Sequence, residues 1–68
     1  MKIKGINKLT KEQQELIFRT HEKHTACNGT ARQAGMAIVE TWIDEKNCVC
    51  VRFKNGEWYH YTKNGAWY

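Results

Sequence analysis

Apolar and polar positions alternate along the last third of the chain, from Cys48 to Tyr68, and the alternation is broken twice by an Asn-Gly pair, at Asn55-Gly56 and Asn64-Gly65. A period of two marks a strand with one buried face, and Asn-Gly is the preferred two-residue hairpin loop. The pattern predicts strands over residues 48–54, 57–63 and 66–68. Upstream, Ile38, Val39, Thr41, Trp42 and Ile43 predict another strand over 37–43, closed by the polar turn 44–47.

A different period governs residues 10–25. Gln13, Leu16, Ile17, Thr20 and His24 share one side at helical spacing. Thr10 as N-cap with Gln13 three residues on makes a capping box. Cys27-Asn28-Gly29 ends the helix, because Asn and Gly accept positive φ. Residues 30–36 read as a short helical turn or a loop, with Gly35 weakening the helix. Residues 1–9 read as a basic arm or a short strand. The expected fold is α+β: one N-terminal α-helix packed on a three- to four-stranded antiparallel β-meander. It forms a single domain, 1–68, with the arm at 1–9, the helix at 10–25 and the sheet at 37–68.

Register then sorts the side chains. Two-residue loops place Lys54 opposite Glu57, Phe53 opposite Trp58, Val51 opposite His60, Thr62 opposite Trp67 and Tyr61 opposite Tyr68. Val49, Val51, Phe53, Trp58, His60, Thr62 and Trp67 then share a face with helix residues Leu16 and Ile17, and Trp42 joins them if the 44–47 turn pairs Ile43 with Cys48. Leu16, Ile17, Val49, Val51, Phe53, Trp58 and Trp67 are the expected core. The other face collects Cys48, Cys50, Arg52, Lys54, Tyr59, Tyr61, Lys63 and Tyr68.

Composition gives the second face its meaning. The chain has 68 residues, 11 Lys plus Arg against 7 Asp plus Glu, and a net charge of +4. It is one small domain without room for an enclosed substrate cavity. Its charge favours polyanions. Tyrosines among cations suit bases stacked on rings with phosphates on Arg and Lys; tyrosine clusters equally suit protein recognition. The start of the chain carries lysines but no apolar leader-like run, and no stretch is long enough to span a membrane. Three cysteines exclude a fully paired disulfide framework, and the expectation is a cytoplasmic protein with free thiols.

His21, His24 and Cys27 have HxxHxxC spacing and are the candidate metal ligands. Cys48 and Cys50 lie about 7 Å apart along a strand, too far for one tetrahedral ion, and His60 is expected on the opposite face from them. With no nucleophile–base pair, Gly-rich phosphate loop or convergent carboxylates, neither enzyme activity nor a cofactor is expected.

The run Asn55-Gly56-x-Trp58-x-x-Tyr61-x-x-x-Gly65-x-Trp67 resembles the C-terminal end of small phage and prophage proteins of Gram-positive bacteria. Residues 48–61 are more loosely similar to the strand pair of the KTSC domain, without its signature residues. The resemblance covers the last third of the chain and transfers no catalytic residue. It implies a mobile-element or viral setting and a host macromolecule as partner. The leading expectation is a non-enzymatic accessory protein that binds nucleic acid through Arg52, Lys54, Tyr59, Tyr61, Lys63 and Tyr68, aided by the 2–11 arm. The alternatives are a module that inhibits or modulates a host protein, including a defence system, and a zinc-stabilised mini-domain. An exposed face or edge on so small a chain also suits a homodimer.

Overall fold

Residues 3–29 and 33–68 are described by a computed structural model. A 3-10 turn, Ile6–Lys8, leads into helix α1, Lys11–Ala26, followed by strands β1, Ile38–Ile43, β2, Val49–Phe53, and β3, Trp58–Tyr61. The strands form an antiparallel sheet in the order β1-β2-β3. This is the expected α+β arrangement. Met1 and Lys2 of the basic arm and residues 30–32 of the 30–36 segment lie outside the described residues.

The helix starts where its cap dictates. The Thr10 hydroxyl accepts from the Gln13 N–H at 3.1 Å, and the Gln13 side chain accepts from the Thr10 N–H at 2.9 Å. Two first-turn donors are thereby satisfied reciprocally. Gln14 donates to the Ile6 and Leu9 carbonyls, tying the 3-10 turn to the helix. At the far end, the Cys27 N–H and the Asn28 side chain both donate to the His24 carbonyl. Leu16, Ile17, Thr20 and His24 are the buried helical positions, the stripe that periodicity selects. They face Ile38, Val49, Val51, Phe53 and Tyr61, with Leu9 and Met36 closing the core and Trp67 packed against it.

The hairpins depart from the expected register, and all three adopt the same loop. Asp44 closes on Cys48, Phe53 on Glu57 and Thr62 on Ala66, each through an N–H to carbonyl bond of 2.8–3.0 Å. Each loop therefore has three residues, against the expected two at 55–56 and 64–65 and four at 44–47. Its third residue alone takes positive φ: Asn47 at 63°, Gly56 at 92° and Gly65 at 83°. A type I′ turn would also require positive φ at Asn55 and Asn64, which are not among the positive-φ residues. This is the type I turn with a G1 bulge. Side chains lock each one: Asp44 Oδ1 accepts from the Lys46 and Cys48 N–H groups, Asn55 from Glu57, and Thr62 from Ala66.

One extra loop residue turns a strand over, because side chains alternate with period two. Tyr59 now faces Val51 and Tyr61 faces Val49, while Trp58 faces Arg52 and His60 faces Cys50. Trp58, expected in the core, is 52% exposed, and Tyr61, expected outside, is 1% exposed. His60 likewise leaves the expected core face. Ile43 pairs with Val49, so Trp42 points away from the helix beside Cys50. Phe53, not Lys54, closes the ladder opposite Glu57, and Lys54 becomes a loop residue. Trp67 still reaches the core, opposite Tyr61, since the second slip reverses the first.

Both sheet edges carry terminal segments. The Lys4 backbone bonds to Val39 and Thr41 on β1, at 3.0 and 2.8 Å. Gly5 permits this: its φ is +85°, and a Cβ there would collide with the Thr41 carbonyl. At the other edge, His60 and Tyr68 exchange both N–H···O bonds, at 2.9 and 3.1 Å. Covered edges resist pairing with further strands.

Candidate binding face

Register places the open face as a small checkerboard. One row across the strands is Glu40, Arg52, Trp58; the next is Trp42, Cys50, His60. Asp44 and Cys48 close the end of the β1–β2 hairpin, and Tyr68 lies beside His60. Four rings make a continuous row. Trp42 and Trp58 have centroids 5.8 Å apart, Trp58 and His60 5.1 Å, and His60 and Tyr68 stack at 4.5 Å and 5°. Trp58 and Tyr68 are the exposed members, at 52% and 66%. Cys50, at the centre, is fully buried beneath its neighbours.

Polar side chains on this face have partners at both ends. Arg52 forms an ion pair with Glu40 while its side chain stays about half exposed. His60 Nε2 lies 3.4 Å from Asp44 Oδ2. The Cys50 thiol is pushed up to about 11, first by burial and then by the negative charges of Asp44 and Cys48. Asp44, Cys50 and His60 each bring one ligand atom to within 4.8 Å of the others, and no other such set occurs among the described residues.

The residues expected to bind a partner are divided among three places. Arg52 and Tyr68 are on the open face. Lys54 lies exposed in the β2–β3 loop. Lys63 instead lines a cleft of about 620 Å³ on the helix side, with Arg19, Lys46 and Glu12. Tyr59 and Tyr61 belong to the interior. The Tyr61 hydroxyl is 3.0 Å from His24 Nδ1, and burial, with the neighbouring Tyr59, pushes it up. Tyr59 packs edge-on to His24 at 4.5 Å. The expected platform of Tyr59, Tyr61 and cations is therefore not assembled. Trp42, Trp58 and His60 take that place beside Tyr68.

The HxxHxxC residues are not brought together as a ligand set. His21 Nε2 donates to the Met36 carbonyl at 2.7 Å. His24 is buried, stacked on Trp67 at 4.7 Å, and Cys27 is exposed. No helix is long and apolar enough to cross a membrane among the described residues. Searches against protein-family models, curated proteins and solved structures return no match.

Proposed function

We propose that the chain is a non-enzymatic protein that binds single-stranded nucleic acid across the open face of its sheet. The row of rings from Trp42 to Tyr68, exposed at Trp58 and Tyr68 on a chain of net charge +4, carries this reading. Bases stack on Trp58 and Tyr68, because every base offers a π face to an aromatic ring. Arg52, at the foot of Trp58, and Lys54 in the adjoining loop meet the phosphates.

A titration of a labelled oligonucleotide at several salt concentrations tests it. Two or three phosphate contacts give a slope of log K against log salt of roughly −1.4 to −2.1. Trp58→Ala weakens binding by about 1–3 kcal/mol, the loss of one stacked base. No binding at low salt, or an equal affinity in Trp58→Ala, refutes the reading.

The Glu40–Arg52 ion pair favours a second reading, since it removes a cation from the phosphate account. Trp, Tyr and Arg are also the residues that dominate protein interfaces. On this reading the same rings engage a host protein, in the phage or prophage setting that residues 55–67 resemble. Binding that survives nuclease treatment and high salt selects it over the first.

A further inference from the structure

We infer that Asp44, Cys50 and His60 form a binding site for a thiophilic divalent cation of the zinc type, with oxygen, sulfur and nitrogen ligands and a fourth position open to solvent. The site is independent of the nucleic-acid reading. It follows from the three-residue loops, because only that register sets His60 directly across from Cys50.

The three ligand atoms lie within 4.8 Å of one another. Zinc bonds of about 2.0–2.3 Å in a tetrahedron separate ligand atoms by roughly 3.3–3.8 Å. His60 Nε2 and Asp44 Oδ2 are already 3.4 Å apart. The Cys50 sulfur, within 4.8 Å of the other two ligand atoms, needs to close by at most roughly 1.3 Å, a movement within reach of side-chain rotation.

The surroundings hold the ligands as outer partners of a metal do. Asp44 Oδ1 is occupied by the Lys46 and Cys48 N–H groups, at 2.9 and 2.8 Å, which leaves Oδ2 as the ligand atom. The His60 ring is held against Tyr68. Cys50 and His60 stand on adjacent strands, so their separation is set by the sheet and not by a loop.

Charge and access agree. A carboxylate and a thiolate balance a divalent ion, so the filled site is neutral under its aromatic cover. His60 and Asp44 side chains remain 22% and 23% exposed, giving an ion a path from solvent to the buried sulfur. Thiolate favours zinc-like ions over magnesium or calcium. The plainer reading is a His60–Asp44 ion pair beside an inert thiol, and it predicts no dependence of metal binding on Cys50.

Co²⁺ added to reduced protein decides between them. The expected result is one ion per chain with thiolate-to-metal absorption in the near ultraviolet, displaced by Zn²⁺. Cys50→Ser abolishes the absorption, while Cys27→Ser retains it. Asp44→Asn keeps the backbone-capping oxygen, and His60→Phe keeps a ring against Tyr68. Both remain folded by circular dichroism and weaken Zn²⁺ binding by at least about tenfold. No thiolate absorption in the wild type, absorption that survives Cys50→Ser, or Zn²⁺ affinity unchanged in both Asp44→Asn and His60→Phe overturns the site.

Discussion

The two faces of one three-stranded sheet each hold a histidine stacked on an aromatic ring from the chain's last two residues. On the inner face His24 stacks on Trp67 at 4.7 Å and meets the Tyr61 hydroxyl. On the outer face His60 stacks on Tyr68 at 4.5 Å and meets Asp44 and Cys50. The inner histidine is 4% exposed, closed in by Phe53, Tyr59 and Tyr61. The outer one keeps a route to solvent and neighbours that can take a proton or an ion. Similar ring geometry therefore serves packing on one side and leaves chemistry available on the other. What differs is the cover: α1 lies over one face, while among the described residues only side chains shield the other.

The largest expected effect breaks this contrast in stability. Phe53→Ala empties the centre of the inner face and costs about 3–5 kcal/mol, enough to unfold a domain this small. Trp58→Ala, on the outer face, stays within about 0.5 kcal/mol. Urea unfolding of the two variants measures both. If Trp58→Ala were the more damaging, β3 would be the other way up and the two-residue loops would be right.

A smaller change probes the two histidine sites alone. Tyr61→Phe removes the hydroxyl at His24 Nδ1 while keeping the ring, and with it a buried side-chain hydrogen bond. The expected cost is about 1–3 kcal/mol. Tyr68→Phe leaves the outer ring stack in place, and the unfolding midpoint is expected to stay unchanged. Equal effects in the two would mean that the faces do not differ in how they hold their histidines.

The contrast also explains what could be read from residues alone. The helix was legible because its signals are local: Thr10 and Gln13 are three apart, and Leu16, Ile17, Thr20 and His24 recur on one side. The existence of the sheet was legible from alternation. Its register was not, because Trp58, Tyr59, His60 and Tyr61 put rings at both parities, so hydrophobicity does not choose a face. Loop length decides, and Asn-Gly is compatible with two residues or three. Pair chemistry held the missing signal. Three-residue loops set Tyr59 against Val51 and Tyr61 against Val49, the favourable aromatic with β-branched pairing. They also place His60 beside Cys50, so the Asp44–Cys50–His60 cluster was hidden by the same single residue of slip. Thr10 and the helical stripe needed no such long-range information.

Gly65 ranks next. Its φ of +83° makes the last loop, and that loop turns Trp67 inward to His24 and Tyr68 outward to His60. Gly65→Ala forces a side chain into the left-handed region, at a cost of about 1–2 kcal/mol. Its distinguishing readout is joint: the ring contacts of His24 and His60 both change, seen as simultaneous shifts of the two imidazole signals by NMR. Movement of one without the other would show that residues 66–68 do not couple the faces.

The smallest expected effect is a gain, and it asks how complete the inner packing is. Thr20 is fully buried on α1, and its hydroxyl has no hydrogen-bond partner. A buried hydroxyl without a partner carries its desolvation cost uncompensated. Thr20→Val replaces it with a methyl group of similar shape, and valine and threonine have nearly the same helix propensity. The usual objection to this exchange, loss of a hydroxyl bond, does not apply where no bond exists. Stability should rise by about 1 kcal/mol, read as an increase in Tm of roughly 4–8 °C for a domain of this size. The same exchange at Thr41, which is also buried but bonds to the Lys4 carbonyl at 3.5 Å, serves as the control and should gain less. A fall in Tm for Thr20→Val would mean that the hydroxyl is hydrated, and the inner face would then share with the outer one the access to water that now separates them.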